Sequence, residues 1–312
     1  MKFWMGVTDN SWFQFLAARD PDEVNFWHPS ATSRFTALQT GTPFLFKLKR
    51  PNNHIAGGGF FVTHSTLPLS LAWEVFGDKN GAASLAELRD LIGPLRGGRA
   101  GLDEIGCTVL ANPFFLRRDQ WIPSPPGWSS NIVQGKTYDS DEPDGRAIWA
   151  AIEERLHADE LLRVGYPATQ YDIERPGEKY GQQIMVKPRL GQSSFRVLVT
   201  DAYKRRCAIT GESTLLALEA AHIVPYSEQE GVHDVRNGLL LRADFHRLFD
   251  AGLLSVAPDL RIKVSPRIRE AWFNGKAYYR LNDRPLSVLP DQLEQRPDSD
   301  RLDWHYKNKF QA

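Results

Sequence analysis

Four polar residues in the last third of the chain stand at spacings that suit hydrolysis of a phosphodiester. Asn237 follows His222 by 15 residues, His246 follows Asn237 by 9, and Asp250 follows His246 by 4. That reaction needs a base to take a proton from water, and a neutral histidine does so near physiological pH. It also needs positive charge against the scissile phosphate and the leaving 3′ oxygen, which a divalent ion supplies. An asparagine between the histidines can hydrogen-bond around a loop and hold the His222 ring in one tautomer and orientation. Positioned general-base catalysis is worth roughly 10²–10⁴ in rate.

The surrounding residues predict the elements that carry these groups. LEAAHIV, residues 218–224, reads as a short strand ended by Pro225. NGLLLR reads as a second strand, and ADFHRLFDAG as a helix closed by Gly252. The order is a ββα unit. On its helix His246 and Asp250 are i and i+4, so their Cβ atoms lie roughly 5–6 Å apart on one face, which suits joint ligation of a metal. His222 falls at the end of the first strand, opposite that face once the unit packs. His233, in the intervening loop, reads as a solvated loop residue, and His305 as a residue that caps or packs the C-terminal segment.

AHIVPY, RNGLLL and DFHRLFDAG, with CAITG at 207–211 upstream, closely resemble the HNH endonuclease family of the ββα-metal fold. The resemblance covers about 60 residues well and most of 193–312 more loosely. It implies that His222 is the general base, Asn237 its orienting residue, and His246 a metal ligand with Asp250 as the second. Two departures stand out. Many relatives carry an Asp or His directly before the base as a further ligand, and here that position is Ala221. Glu219 lies two residues back, on the same strand face, and is the candidate third ligand, with water as the alternative. Many relatives also hold a structural zinc between paired cysteines. Here Cys207 meets Thr210 where its CxxC partner would stand, so no structural zinc is expected and Cys207 reads as a small core residue. The implied cofactor is Mg²⁺ or Mn²⁺.

The chain has 312 residues, enough for two domains. It is 42% hydrophobic and carries 38 basic against 38 acidic residues. Local charge therefore matters more than the sum. Lys187, Arg189, Arg196, Lys204, Arg205 and Arg206, against Asp201 alone, form a basic patch just before the ββα unit. Two cysteines a hundred residues apart exclude a disulfide framework. No apolar run reaches membrane-spanning length and the start lacks a secretory pattern, so a cytoplasmic protein is the expectation.

The first half reads as mixed strands and helices. Residues 1–7, 43–49, 55–63 and 105–112 have strand character, with PNNH as the turn between the middle pair. Residues 9–19 read as a helix capped by Asp9 or Asn10, 69–77 and 84–93 as two more, and 145–165 as a fourth; Ser84 with Glu87 makes a capping box. The GGG at 57–59 suits close backbone approach or a bulge. Residues 122–145 read as one long loop. Gly and Pro cluster over 166–192, which gives domains at 1–165 and 193–312 joined by a linker over 166–192.

Seven of the nine tryptophans lie in the first of these domains, and FWMGVTDN and NFW set aromatic beside small polar residues. That mix suits a pocket that stacks a flat base and bonds its edge. The opening, the NFW segment and the fusion to an HNH unit resemble the PUA-like superfamily of EVE, YTH and SRA modified-base readers. The expected class is α+β: an N-terminal PUA-like mixed β-barrel with flanking helices and a C-terminal ββα-metal domain. The resemblance implies base flipping, with Trp12, Trp27 or Trp73 walling a pocket and Asp9 or Asn10 reading a base edge. Lys47, Lys49, Arg189, Lys204, Arg205 and Arg206 are candidates to hold the DNA backbone. The reading is a modification-dependent restriction endonuclease acting on double-stranded DNA that contains 5-methylcytosine or 5-hydroxymethylcytosine. An HNH nuclease for unmodified DNA or a toxin, and a non-catalytic nucleic-acid reader, stay open beside it. Cutting both strands calls for two active sites, which a homodimer would supply.

Overall fold

Strand patterning governs the first half of the chain. In β1 (Lys2–Thr8) Phe3 and Met5 point to one face, and Asp9 caps α1 (Asn10–Ala17) by accepting from Ser11 N at 3.0 Å. There follow β2 (Glu23–His28), β3 (Pro43–Leu48), β4 (His54–Pro68), α2 (Leu69–Phe76), α3 (Leu85–Ile92), β5 (Glu104–Phe115), β6 (Ile122–Pro123), β7 (Gly135–Asp139) and α4 (Pro143–Arg163). The computed structural model describes residues 1–30, 38–96, 103–163, 190–272 and 275–312. The chain divides into two compact units, Met1–Arg189 and Leu190–Ala312.

In the first unit the strands form one sheet ordered β2-β5-β4-β3-β1-β7, with β6 added beside β4. β1 and β3 run parallel and the other neighbours antiparallel. Both faces are covered, which is why every residue of β3 is buried and its sequence runs hydrophobic without alternation. Phe44, Phe46 and Leu48 pack with Trp12, Phe13 and Leu16 of α1. Leu45 packs with Phe3, Met5 and, from α4, Ile148 and Ile152.

The class is α+β. The sheet does not close as expected of a barrel: among the described residues no pairing joins β2 to β7. The expected loop over 122–145 also needs correction, because it contains β6 and β7. β7 is a short edge strand that pairs with β1, Lys2 opposite Asp139 through Gly6 opposite Gly135, and buries Tyr138 against Phe3. Nothing periodic in KTYD announces it. The glycines at 57–59 lie where the β4–β5 register slips, between Gly58 and Phe60, so the bulge is present.

The second unit comprises α5 (Gln192–Ala202), β8 (Leu218–His222), β9 (Gly238–Arg242), α6 (Ala243–Asp250), β10 (Leu254–Val256), β11 (Ile262–Val264), α7 (Arg267–Trp272), α8 (Lys276–Tyr279) and α9 (Ser299–Asn308). β8 and β9 pair antiparallel, as do β10 and β11. α5 and α6 pack on the first pair around Phe195, Val199, Ala221, Leu239, Leu241, Phe245 and Phe249. α6 stops at Gly252, whose φ of 68° frees the Leu253 N–H to reach Leu248 O at 2.8 Å. Cys207 is buried in this core as a free thiol. No helix among the described residues is long and apolar enough to cross a membrane.

Candidate active site

His222 closes β8 opposite Gly238 of β9. Phe195 of α5 lies flat on its ring, centroids 3.9 Å apart and 10° from parallel. Gly238 permits this approach: a Cβ there would stand 2.4 Å from Val199 and 3.1 Å from Phe195. Nε2 of His222 is 3.0 Å from Nδ1 of His233, and His233 in turn stacks on Tyr226 at 4.1 Å. Burial, helped by His233 and His246, pushes His222 down to about 4. The ring is therefore neutral at physiological pH and able to accept a proton.

Asn237 is fully buried and does not touch the His222 ring. Its amide accepts from Val224 N at 2.9 Å and donates to Val224 O at 2.9 Å and Val232 O at 3.0 Å. Its own carbonyl accepts from Ile223 N at 2.8 Å. Asn237 thus pins both ends of the loop that follows His222. Contact with the ring itself comes from Phe195 and His233, which corrects the expectation that the asparagine holds it and the expectation that His233 is merely solvated.

On α6, His246 lies between two carboxylates. Glu219 Oε2 is 2.7 Å from Nδ1, and Asp250 Oδ2 is 3.3 Å from Nε2. Glu219 therefore accepts from Nδ1–H and sets the ring so that Nε2 faces Asp250, the arrangement by which a carboxylate orients a metal-binding histidine. This placement suits orientation of His246 rather than the direct ligation expected of Glu219. Ala221 is fully buried in the core, while Ala220 and His222 share the face that lines the site. The residue before His222 thus points away from the cavity. Burial, reinforced by Glu219, raises the Asp250 carboxyl against the pull of His246.

His222, His246 and Asp250 line one cavity of about 340 Å³ with Phe195, Arg196 and Tyr226. Among the described residues no set of three His, Cys, Asp or Glu side chains stands assembled around a metal position. The donors that fit a divalent ion are two, an imidazole nitrogen and a carboxylate oxygen 3.3 Å apart. That gap matches two adjacent ligands each roughly 2.0–2.2 Å from one ion.

The basic candidates are mostly engaged within their own unit. Lys204 pairs with Asp291 at 2.7 Å, Arg205 lies 3.7 Å from Asp201, and Arg206 donates to Gly211 O. Arg189 lies outside the described residues. Arg196 and Lys309 line the cavity itself, with Glu228 Oε1 3.6 Å from Lys309 Nζ. Lys309 was not singled out in the sequence, because it lies about 60 residues beyond the motif.

In the first unit the expected pocket residues disperse. Trp12 is 4% exposed, wedged edge-on between Phe26 and Phe46, so it builds core. Asp9 is spent on the α1 cap and on Lys49 at 3.1 Å, and Asn10 donates to Arg50 O. Trp27 is half-buried and donates to Asn80 O at 2.9 Å; Trp73, on α2, is also half-buried. Lys47 is 4% exposed, bonds Asn53 Oδ1 and lies over Trp128 at 5.1 Å, out of reach of a DNA backbone.

Residues 207–257 match the family described as HNH endonuclease. Solved structures give likenesses at low overlap. One is ASCH from Zymomonas mobilis, at 14% identity, 38% of this chain, 73% of that chain and TM-score 0.28. A single-substitution variant of that protein gives 9%, 47%, 94% and 0.32. The modification-dependent TagI restriction endonuclease gives 15%, 91% of this chain, 74% of that chain and 0.28. No curated protein matches.

Proposed function

We propose that the second unit is a metal-dependent HNH endonuclease that hydrolyses phosphodiester bonds in DNA. The observation that carries this reading is the convergence of a neutral, stacked His222 and the His246–Asp250 pair on one cavity within the segment that matches the family. In the reaction His222 takes a proton from water as the water oxygen bonds to phosphorus, and the bond from phosphorus to the leaving 3′ oxygen breaks. His246 and Asp250 would hold a divalent ion, which when bound supplies positive charge to the phosphate and leaving oxygen. Glu219 keeps the His246 ring turned, and Asn237 keeps the loop, and hence His222, in place. Arg196 and Lys309 at the cavity meet flanking phosphates.

The finer reading is that the first unit directs cutting to DNA containing 5-methylcytosine or 5-hydroxymethylcytosine. It rests on the PUA-like resemblance of the sequence, with Trp27 and Trp73 as the remaining aromatic candidates. The test is cleavage of matched plasmids with and without 5-methylcytosine, in Mg²⁺ and in Mn²⁺. The intact chain should cut the modified plasmid, and His222→Ala should lower the rate by roughly 10²–10⁴. Equal cutting of both plasmids would remove the modification dependence and leave the nuclease. Unchanged cutting by His222→Ala would remove the nuclease assignment.

A further inference from the structure

The contact between His222 and His233 constrains where each ring keeps its proton. The two nitrogens, 3.0 Å apart, share one hydrogen bond and hence one proton. If His233 Nδ1 carries it, His222 Nε2 accepts, and a neutral His222 must then be protonated on Nδ1. No lone pair would remain to take a proton from water. If His222 Nε2 carries it and donates to His233 Nδ1, the Nδ1 lone pair of His222 is free. Among the described residues Nδ1 of His222 makes no hydrogen bond. Only the second arrangement gives a working base.

We infer that His233 is the positioning residue for the reaction: it accepts the Nε2–H of His222 and so makes Nδ1 the basic nitrogen. The inference rests on the nuclease reading and deepens it. Three features support it. Both rings are held flat, His222 by Phe195 and His233 by Tyr226 at 4.1 Å and 11°, so the pair is built rather than a chance of loop packing. Asn237 bonds Val232 O, the residue before His233, and Val224, two after His222, so one buried amide fixes both partners. The remaining groups around His222 are Phe195 from α5, His246 from α6 and Asp250 across the cavity, and among their contacts none accepts its Nε2–H. As a water proton arrives on Nδ1, His222 becomes an imidazolium, and its Nε2–H donates a charge-assisted bond to neutral His233. Water loses one proton, His222 gains it, and the Nε2 proton stays where it was.

The experiment uses the full chain labelled with ¹⁵N-histidine, read by long-range ¹H–¹⁵N correlation, together with cleavage kinetics. His222 should be protonated on Nε2 in the native protein. In His233→Ala this preference should be lost and kcat should fall about tenfold or more, part of the general-base contribution, with KM for DNA unchanged. His233→Asn, whose Oδ1 can stand near the position of Nδ1 and accept, should restore both the tautomer and most of kcat. A native His222 protonated on Nδ1, or an Ala variant with native kcat, would overturn the inference while leaving the nuclease intact. Absence of cleavage from every form, native included, would instead strike the nuclease reading, and the tautomer would judge the pairing alone.

Discussion

The two units treat their conspicuous residues in opposite ways. In the second, polar groups separated by up to 28 positions, from His222 to Asp250, converge from a strand and a helix on one cavity. In the first, the expected pocket and backbone-binding residues part company: Trp12 goes to the core, Asp9 to a helix cap and Lys47 to a buried place on its strand. The difference teaches that spacing across elements is a stronger mark of chemistry than local composition. A cluster such as FWMGVTDNSWF satisfies the needs of a strand and a capped helix before any ligand is considered.

That contrast can be broken by experiment, beginning with the largest effect. Trp12→Ala should cost about 3–5 kcal/mol of stability in the first unit, as expected for emptying a packed aromatic site. Chemical denaturation measures it, and a small loss together with abolished binding of modified DNA would return Trp12 to the pocket. The second effect concerns pH in the other unit. His305 is 2% exposed, accepts from Ser255 Oγ, donates to Phe249 O, and is pushed by burial down to about 4. The unfolded chain, with an ordinary histidine near 6.5, binds the proton more readily between those values. Stability of the second unit should therefore be full above pH 6.5 and fall by about 3 kcal/mol as the pH drops to 4, at 1.36 kcal/mol per unit. Flat stability over that window, beyond what the other titrating groups contribute, would place the His305 ring in water.

Glu219→Ala should weaken divalent-metal affinity by about 10–100-fold, the usual loss when the partner of a ligating histidine is removed. Calorimetric titration with Mn²⁺ reads it directly, and unchanged affinity would make the contact to His246 incidental. The smallest effect returns to the first unit. Asp9→Ala should cost about 1 kcal/mol through loss of the cap and leave discrimination between modified and unmodified DNA unaltered. A change in that discrimination with stability preserved would give Asp9 a role in reading a base.

The motif in the second unit was readable because its residues sit on regular elements. A strand and a helix have fixed periods, so His246 and Asp250 could be placed on one face from their numbers alone. The same periodicity revealed most strands and helices of the first unit, and Gly57–Gly59 announced the bulge. What stayed hidden lies on loops or depends on distant partners. His233 stands in an aperiodic loop, and its meeting with His222 depends on the Asn237 clamp, whose own partners are backbone atoms without sequence identity. β7 pairs on the edge that β1 offers and buries only Tyr138. The parity rule that put Glu219 and Ala221 on one face gave no indication that Ala221 would be filled by the core and Glu219 would reach sideways to α6.

The asparagine clamp has a consequence for how the chain can change over time. Because Asn237 ties Val224 to Val232, the segment between them is a ring closed at its neck, and the neck is tight: a side chain at Gly231 would run into Pro225 O. Beyond the neck, Ser227 to Glu230 are exposed, and of these Glu228 reaches Lys309 of the cavity at 3.6 Å. Lengthening a loop costs only about 0.6 kcal/mol per doubling. The tip is thus an insertion port, a place where an added segment could contact another stretch of nucleic acid while the chemistry below keeps its alignment.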